Sequence, residues 1–317
     1  DPIKGLTHAA TAIKNGKHII MVNVEADALA GVELASMAEK AGVIYSLAYG
    51  DQPALTCEMV DWARSIGFEI IAAGKGTKYL PKYHASTPDT VWEEYGLTAK
   101  EAEQAGMNSK MFNSFLDGTK SAIEMAALSN ATGLSPPEDG LQFPSVGMDD
   151  LANVLKPRSD GGILEKSGQV EVVSSLKRNG TSVFKDLRWG VYVVIKAPNS
   201  YSAACFKQYG INTDKSGQYA AMYKPFHLIG LELNISIFAA ALLKKATGTP
   251  SEFIADVVAI AKTNLKKGQL LDGEGGHTVW GKLYPAKKSI TLGGLPIGLA
   301  NNVILKNDVP ANKAITF

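Results

Sequence analysis

KHIIMVNVEADALAGVELASMAEKAGVIYSLAYG, residues 17–50, is the stretch that sets the architecture. Its opening, KHIIMVNV (17–24), is a short β-branched run entered from Gly16 and reads as a buried strand. Residues 30–41 have the apolar spacing of an amphipathic helix, stopped at Gly42. VIYSLAYG (43–50) is a second strand. The same alternation runs outward on both sides. Residues 7–15 read as the end of a helix. Asp51-Gln52-Pro53 starts another, with proline at the first helical position. That helix ends at Gly67, and FEIIAAG (68–74) is a third strand. Strands alternating with helices predict an α/β fold with a parallel sheet and right-handed crossovers.

The middle changes character. Residues 79–98 are irregular, 97–107 form a short helix, and one long helix is expected over 113–131. Residues 135–168 are loop-rich. Asn179-Gly180 is a hairpin signal inside the β-rich segment 170–197. Helices are expected at about 225–244 and 250–267, and an all-β tail from 269. No glycine-rich dinucleotide or phosphate loop follows any strand. The expectation is that the front of the first domain, about 100 residues, precedes this chain.

Composition narrows the classes. The 317 residues are 45% hydrophobic, enough for two or three domains, and the net charge of +1 comes from 32 basic and 31 acidic residues without like-charge blocks. That argues against nucleic acid and against a polybasic membrane anchor. Cys57 and Cys205 fit no disulfide or zinc spacing, so a reducing cytoplasm is the default. The most apolar helix candidate, 225–243, contains His227, Glu232 and Asn234 and is too polar to span a membrane.

In parallel sheets, ligands bind beyond the carboxyl ends of the strands. The three expected strand ends carry Asn23 to Asp27, then Gly50-Asp51-Gln52, then Gly74-Lys75-Gly76-Thr77-Lys78. On one sheet they share an edge, and the lysines beside Thr77 suit an anion. Such loops are also polar simply because they are exposed. On the helix at 113–131, Asn113, Asp117, Lys120 and Glu124 are spaced four, three and four apart and share one face. The rest of that helix is mostly apolar, so the stripe should face an internal cavity; a narrow solvent face is the competing explanation. Between Pro225 and Leu243 the one formal charge is Glu232, costly to bury unless paired or metal-bound. Lys224 precedes that helix and His227 lies in it. This inventory suits proton transfer beside a carbonyl, with lysine holding an anionic group and carboxylates acting through a divalent ion.

GKHIIMVNVEAD, AYGDQPA, AAGKGTKYLP, FNSFLDGTKSAIEMA, RWGVYVV and YKPFHLIGLE together resemble a bacterial family of homoserine-dehydrogenase-like oxidoreductases. Some of its members are described as similar to 1-deoxy-D-xylulose 5-phosphate reductoisomerase. The resemblance spans nearly the whole chain. It implies the remaining part of a Rossmann-like NADP-binding domain (1–50), an α+β catalytic and dimerisation domain (51–268), and a truncated β-rich domain like the SAF β-clip (269–317). Asn23 stands where the homoserine dehydrogenases carry Asn, but the family's following Lys is absent, which argues against homoserine itself.

The resemblance further implies NADPH, a homodimer and a small phosphorylated or acidic substrate, with Mg or Mn as the divalent metal. On that reading Asp117, Glu124 and Glu232 hold the metal. Lys75, Lys78, Thr77 and Ser114 take the phosphate, with Gln52, Asn113 and Asp117 also touching substrate. Lys120, Lys224, His227 and Glu232 serve proton transfer and oxyanion stabilisation, while Asn23 and Glu25 lie near the nicotinamide. Two rival readings stand beside it. One is a dehydrogenase of another hydroxy acid or sugar acid; the other is a cofactor-free module that only binds a ligand or partner.

Overall fold

The computed structural model describes residues 1–317. The chain opens with helix α1 (Pro2–Lys14), strand β1 (Ile19–Met21), helix α2 (Val24–Lys40) and strand β2 (Tyr45–Leu47). β1 and β2 pair in parallel, Ile20 opposite Ser46. Ile13, Met21, Leu34 and Tyr45 are among the side chains closing a small core between them. The strand–helix–strand reading therefore holds, with one shift. α2 begins six residues earlier than expected, because the Asn23 side chain caps it by accepting from the Ala26 N–H at 3.0 Å. Glu25 and Asp27 thus stand in the first turn of a helix, not in a loop.

Helix α3 (Gln52–Ser65) starts where expected, with Asp51 as its N-cap. Strand β3 (Glu69–Thr77) then leaves the first sheet altogether. It lies in a five-stranded sheet of order β4-β3-β5-β7-β6, built with β4 (Gln169–Ser174), β5 (Val191–Lys196), β6 (Asn212–Thr213) and β7 (Tyr219–Lys224). β3 runs parallel to β4 and antiparallel to β5. The expectation of three strand ends on one edge fails because β3 is paired on both sides by strands from much later in the chain. Asn179-Gly180 does form a turn, closed by Leu176 and Ser182, but β4 and β5 flank β3 and do not pair with each other.

The glycines of β3 are there for the backbone, not for a ligand. A Cβ on Gly74 would lie 1.9 Å from the Glu171 carbonyl oxygen, and one on Gly76 1.8 Å from that of Leu187. Gly76→Ala should cost about 1–3 kcal/mol of stability, read as a lower urea midpoint. An unshifted midpoint would mean this approach is looser than described.

Short helices α4 (Val91–Tyr95) and α5 (Ala99–Gln104) lead to α6 (Ser109–Leu116) and α7 (Thr119–Thr132). The helix expected over 113–131 is therefore two. Asp117 ends α6, and Gly118 at φ +90°, which costs glycine little, turns the chain into α7. Asn113 and Asp117 consequently do not share a helix with Lys120 and Glu124. Twelve of the fourteen α7 residues are buried, which makes it the central helix of the molecule. Helices α8 (Leu151–Val154) and α9 (Ser200–Gln208) cover the large sheet.

Three later expectations are corrected. The helix at 225–244 shrinks to α10 (Asn234–Phe238) and a π turn over Ala239–Leu243, since β7 extends through Lys224 to pair with Val191. It is also not buried: Leu231 and Leu242 are 78% and 74% exposed. The helix at 250–267 is instead β8 (Ala255–Ala261), a fully buried strand antiparallel to β10 (Val279–Pro285). The tail is β-rich, with β9 (Leu270–Asp272) against β11 (Asn301–Ile304), but it also contains helix α11 (Ala286–Leu292). No helix is long and apolar enough to cross a membrane.

Candidate functional site

Five segments deliver charge to one largely buried place. α7 presents Lys120 and, one turn later, Glu124. The Lys120 ammonium lies 2.5 Å from the carboxylate of Glu25, in the first turn of α2. Lys75, from the middle of β3, pairs with Glu124, and both side chains are nearly inaccessible. Asp51, at the start of α3, and Glu274, in the β9–β10 loop, complete the ring, the latter accepting from the Ser114 hydroxyl at 2.5 Å. Four carboxyls thus face two ammoniums.

The electrostatics follow from that imbalance. Burial works against the Lys120 ammonium, but Glu25, Glu124, Asp51 and Glu274 together hold it above the ordinary lysine range. Lys120 therefore stays protonated. Burial, then Glu124, raises Asp51, while Lys120 and Lys75 pull it back. Burial and the Glu25 carboxylate push Glu274 up to about 7, against Lys120 and Ser114. A carboxyl at that value is half protonated near neutrality, the condition for exchanging a proton in both directions. The centre has little free space: the cavity beside Glu25 and Glu274, which Asp256 and Ile123 also line, holds about 10 Å³, room for about one water, and the Lys120 and Glu25 side chains stay 15% and 22% exposed.

A second buried pair stands beside the first. Lys262, at the end of β8, lies 2.8 Å from Asp117, with side chains 1% and 0% exposed. Lys262 also donates to the carbonyls of Ser86 and Gly276, and Asp117 accepts from the Thr119 N–H at 2.9 Å, fixing the start of α7.

The remaining expected residues are placed as follows. Asn113 is fully buried and ties Ser86 to Gly275. Asn23 is occupied in capping α2. The Gln52 amide reaches the Gly190 carbonyl at 3.3 Å. Thr77 ends β3, and the Lys78 ammonium donates to the Glu94 carbonyl with Arg188 nearby. Lys224 pairs with Glu232 at 2.5 Å, over the turn carrying Tyr49 and Gly50. His227 bonds the Trp189 carbonyl through Nδ1. Of the residues singled out in the sequence, Glu25, Lys75, Lys120, Glu124 and Ser114 come together here. The sequence reading missed Glu274, visible only as the one charge between the glycines of 273–276, and Lys262, assigned to a helix that is a strand.

The metal expectation does not fit. Asp117, Glu124 and Glu232 are each neutralised by a different lysine, Lys262, Lys75 and Lys224. No three His, Cys, Asp or Glu side chains converge as a cation site. For a dinucleotide, no glycine-rich turn follows β1 or β2, and Asn23 and Glu25, the residues expected near the nicotinamide, are engaged by the α2 cap and by Lys120.

Burial also makes the fold pH-sensitive. Asp27, in the first turn of α2, is buried with one oxygen accepting from the Tyr45 hydroxyl at 2.8 Å and the other without a partner. Burial raises it to about 7, the Tyr45 bond opposing. Burial also raises Glu171 to about 7, against the N–H groups of Val172, Gln142 and Phe143. These folded values lie above the ordinary 3.8 and 4.5, so folding takes up protons between there and about 7. The stability these groups contribute is complete below the ordinary values and is lost as pH rises through about 7. Urea midpoints should therefore fall from pH 5 to 7.5, and Asp27→Asn should flatten the fall. An equal slope in the variant would remove Asp27 from the account.

Residues 50–233, more than half of the chain, match the family described as oxidoreductase DRL, catalytic domain. No curated protein matches. Among solved structures, the chain is similar to a Bacteroides fragilis NCTC 9343 protein described as a "putative oxidoreductase" at 15% identity and a TM-score of 0.27, over 78% of this chain and 69% of that one. A likeness so slight bears on neither fold nor activity.

Proposed function

This chain belongs to the DRL oxidoreductases through that catalytic domain, and on this premise we propose that it uses NADPH to reduce a small phosphorylated or acidic carbonyl compound. The reaction we assign is the one its resemblance implies: rearrangement of 1-deoxy-D-xylulose 5-phosphate, then reduction to 2-C-methyl-D-erythritol 4-phosphate. The observation that carries the reading is the protonated Lys120 set among four carboxyls where α2 meets α7.

The chain's own residues divide the work. Lys120 donates a hydrogen bond to the substrate oxygen on which negative charge develops; in a largely buried site that stabilisation is greater than in water. Glu25 and Glu124 hold the ammonium in place. Glu274, near neutrality, takes the proton from a substrate hydroxyl and returns one to the oxygen that reduction leaves charged. The acid-rich centre repels a phosphate, so the phosphate lies further along β3. There Lys78 and Arg188 stand together, three residues or about 10 Å beyond Lys75. Bound NADPH supplies the hydride. Substrate enters by separating the Lys120–Glu25 pair, the partly exposed edge of the centre.

The test is NADPH consumption by the holoenzyme with 1-deoxy-D-xylulose 5-phosphate, beside NADP reduction with a panel of aldonates and other hydroxy acids. Turnover of the former alone supports the assignment. Turnover confined to the panel transfers the same site to a hydroxy-acid dehydrogenase and ends the rearrangement reading.

A further inference from the structure

A cleft of about 300 Å³ opens where β10 and the C-terminal tail pass the start of α7. It lies apart from the charged centre. Gly118 and Ala122 face the cleft, while Lys120 and Glu124, two residues along in each case, face the centre. Its walls are flat or apolar: His84, Leu141, Phe143, Ile260, Trp280 and Tyr284. The His84 ring lies on Trp280, centroids 3.8 Å apart and planes 20° apart, and stands edge-on to Phe143.

His84 is saturated. Its Nδ1 is 2.7 Å from the Asp117 carbonyl, which can only accept, so the proton is on Nδ1. Its Nε2 then accepts from the Tyr79 hydroxyl at 2.8 Å. Burial pushes the imidazole down to about 4, against the Asp117 bond and helped by Lys282 and Lys262. The ring is a neutral wall, not a base.

The charges leave one cation over. Asp139 is spent on Lys288 at 2.7 Å. Lys282 influences Asp139 from further off but makes no ion pair, and its ammonium stands 5.0 Å from the centre of the Tyr284 ring. We propose that this cleft binds a small aromatic carboxylate, its ring against the His84–Trp280 pair and Phe143 and its carboxylate on Lys282. The volume is at the low end for a small-molecule site, which restricts the occupant to one ring. Flat walls select that ring. A single ammonium without an ion-pair partner, in a wall of mixed polarity, selects one negative charge; a doubly charged phosphate would call for a second cation that the cleft lacks.

Calorimetric titration of the holoenzyme with benzoate, and with benzyl alcohol as its neutral match, tests this. Saturable one-to-one binding of benzoate is expected, at least about tenfold tighter than benzyl alcohol. Lys282→Met, which keeps the stem packed against Gly140 and breaks no ion pair, should reduce benzoate to the level of the alcohol. Lys120→Met should leave benzoate binding unchanged, which separates this cleft from the charged centre. The proposal is overturned by equal binding of acid and alcohol, by unchanged binding in Lys282→Met, by loss in Lys120→Met, or by no saturable benzoate binding.

Discussion

Lys120→Met should slow turnover at least about a hundredfold while the chain remains folded. Methionine keeps the length and apolar stem of lysine and removes only the charge. Glu25 then loses its partner at 2.5 Å, and Glu124, Asp51 and Glu274 lose the cation that offsets their mutual repulsion. The substrate oxygen would meet carboxyls alone. Glu274, already at about 7, should shift further up, so any surviving activity should move to higher pH. The effect belongs in kcat, because the interaction strengthens as charge develops on the oxygen. Lys120→Arg keeps the charge and should recover part of the loss. Normal kcat in a folded Lys120→Met protein would remove this residue from the chemistry.

Lys262→Met carries the largest expected loss of stability, about 3–5 kcal/mol. Its partner Asp117 is wholly buried, and the two carbonyls that Lys262 serves, those of Ser86 and Gly276, would also lose their donor. Burial already raises Asp117, with Lys262 the main opposing influence, so the lone carboxyl should protonate. The start of α7 would then rest on a neutral acid bonded to the Thr119 N–H. Combining Lys262→Met with Asp117→Asn should restore part of the stability, because the buried charge itself is gone. The reading is the urea midpoint at unchanged m-value. A single variant as stable as the parent would contradict the pairing.

How legible all this was from the sequence depended on the range of the interactions involved. Residues 17–66 could be read because strand period, helix period, the Asp51 cap and Pro53 are local signals that agree. That Gly118 breaks the helix expected over 113–131 follows from φ +90° and from His84 holding the Asp117 carbonyl. The segment SEFIADVVAIAKTNLKK satisfies helical spacing as well as a buried strand does, and pairing with β10 decides for the strand. Residues 225–243 contain so little charge that burial was expected; exposure depends on what packs against them, which no local pattern encodes. The same holds within the site. Lys120 and Glu124 declare themselves by spacing on an apolar helix. Glu274 and Lys262 matter through partners 160 and 145 residues away, Ser114 and Asp117, and their own surroundings in sequence give no hint of it.

The most direct test of the charged centre is the pH profile of kcat for the holoenzyme and for Glu274→Gln. Glutamine keeps the size of the side chain and its bond to Ser114 but cannot exchange a proton. The parent should show an ionisation near pH 7 that Glu274→Gln lacks, with a lower plateau. The same ionisation persisting in the variant, at undiminished rate, would place the chemistry of this protein elsewhere.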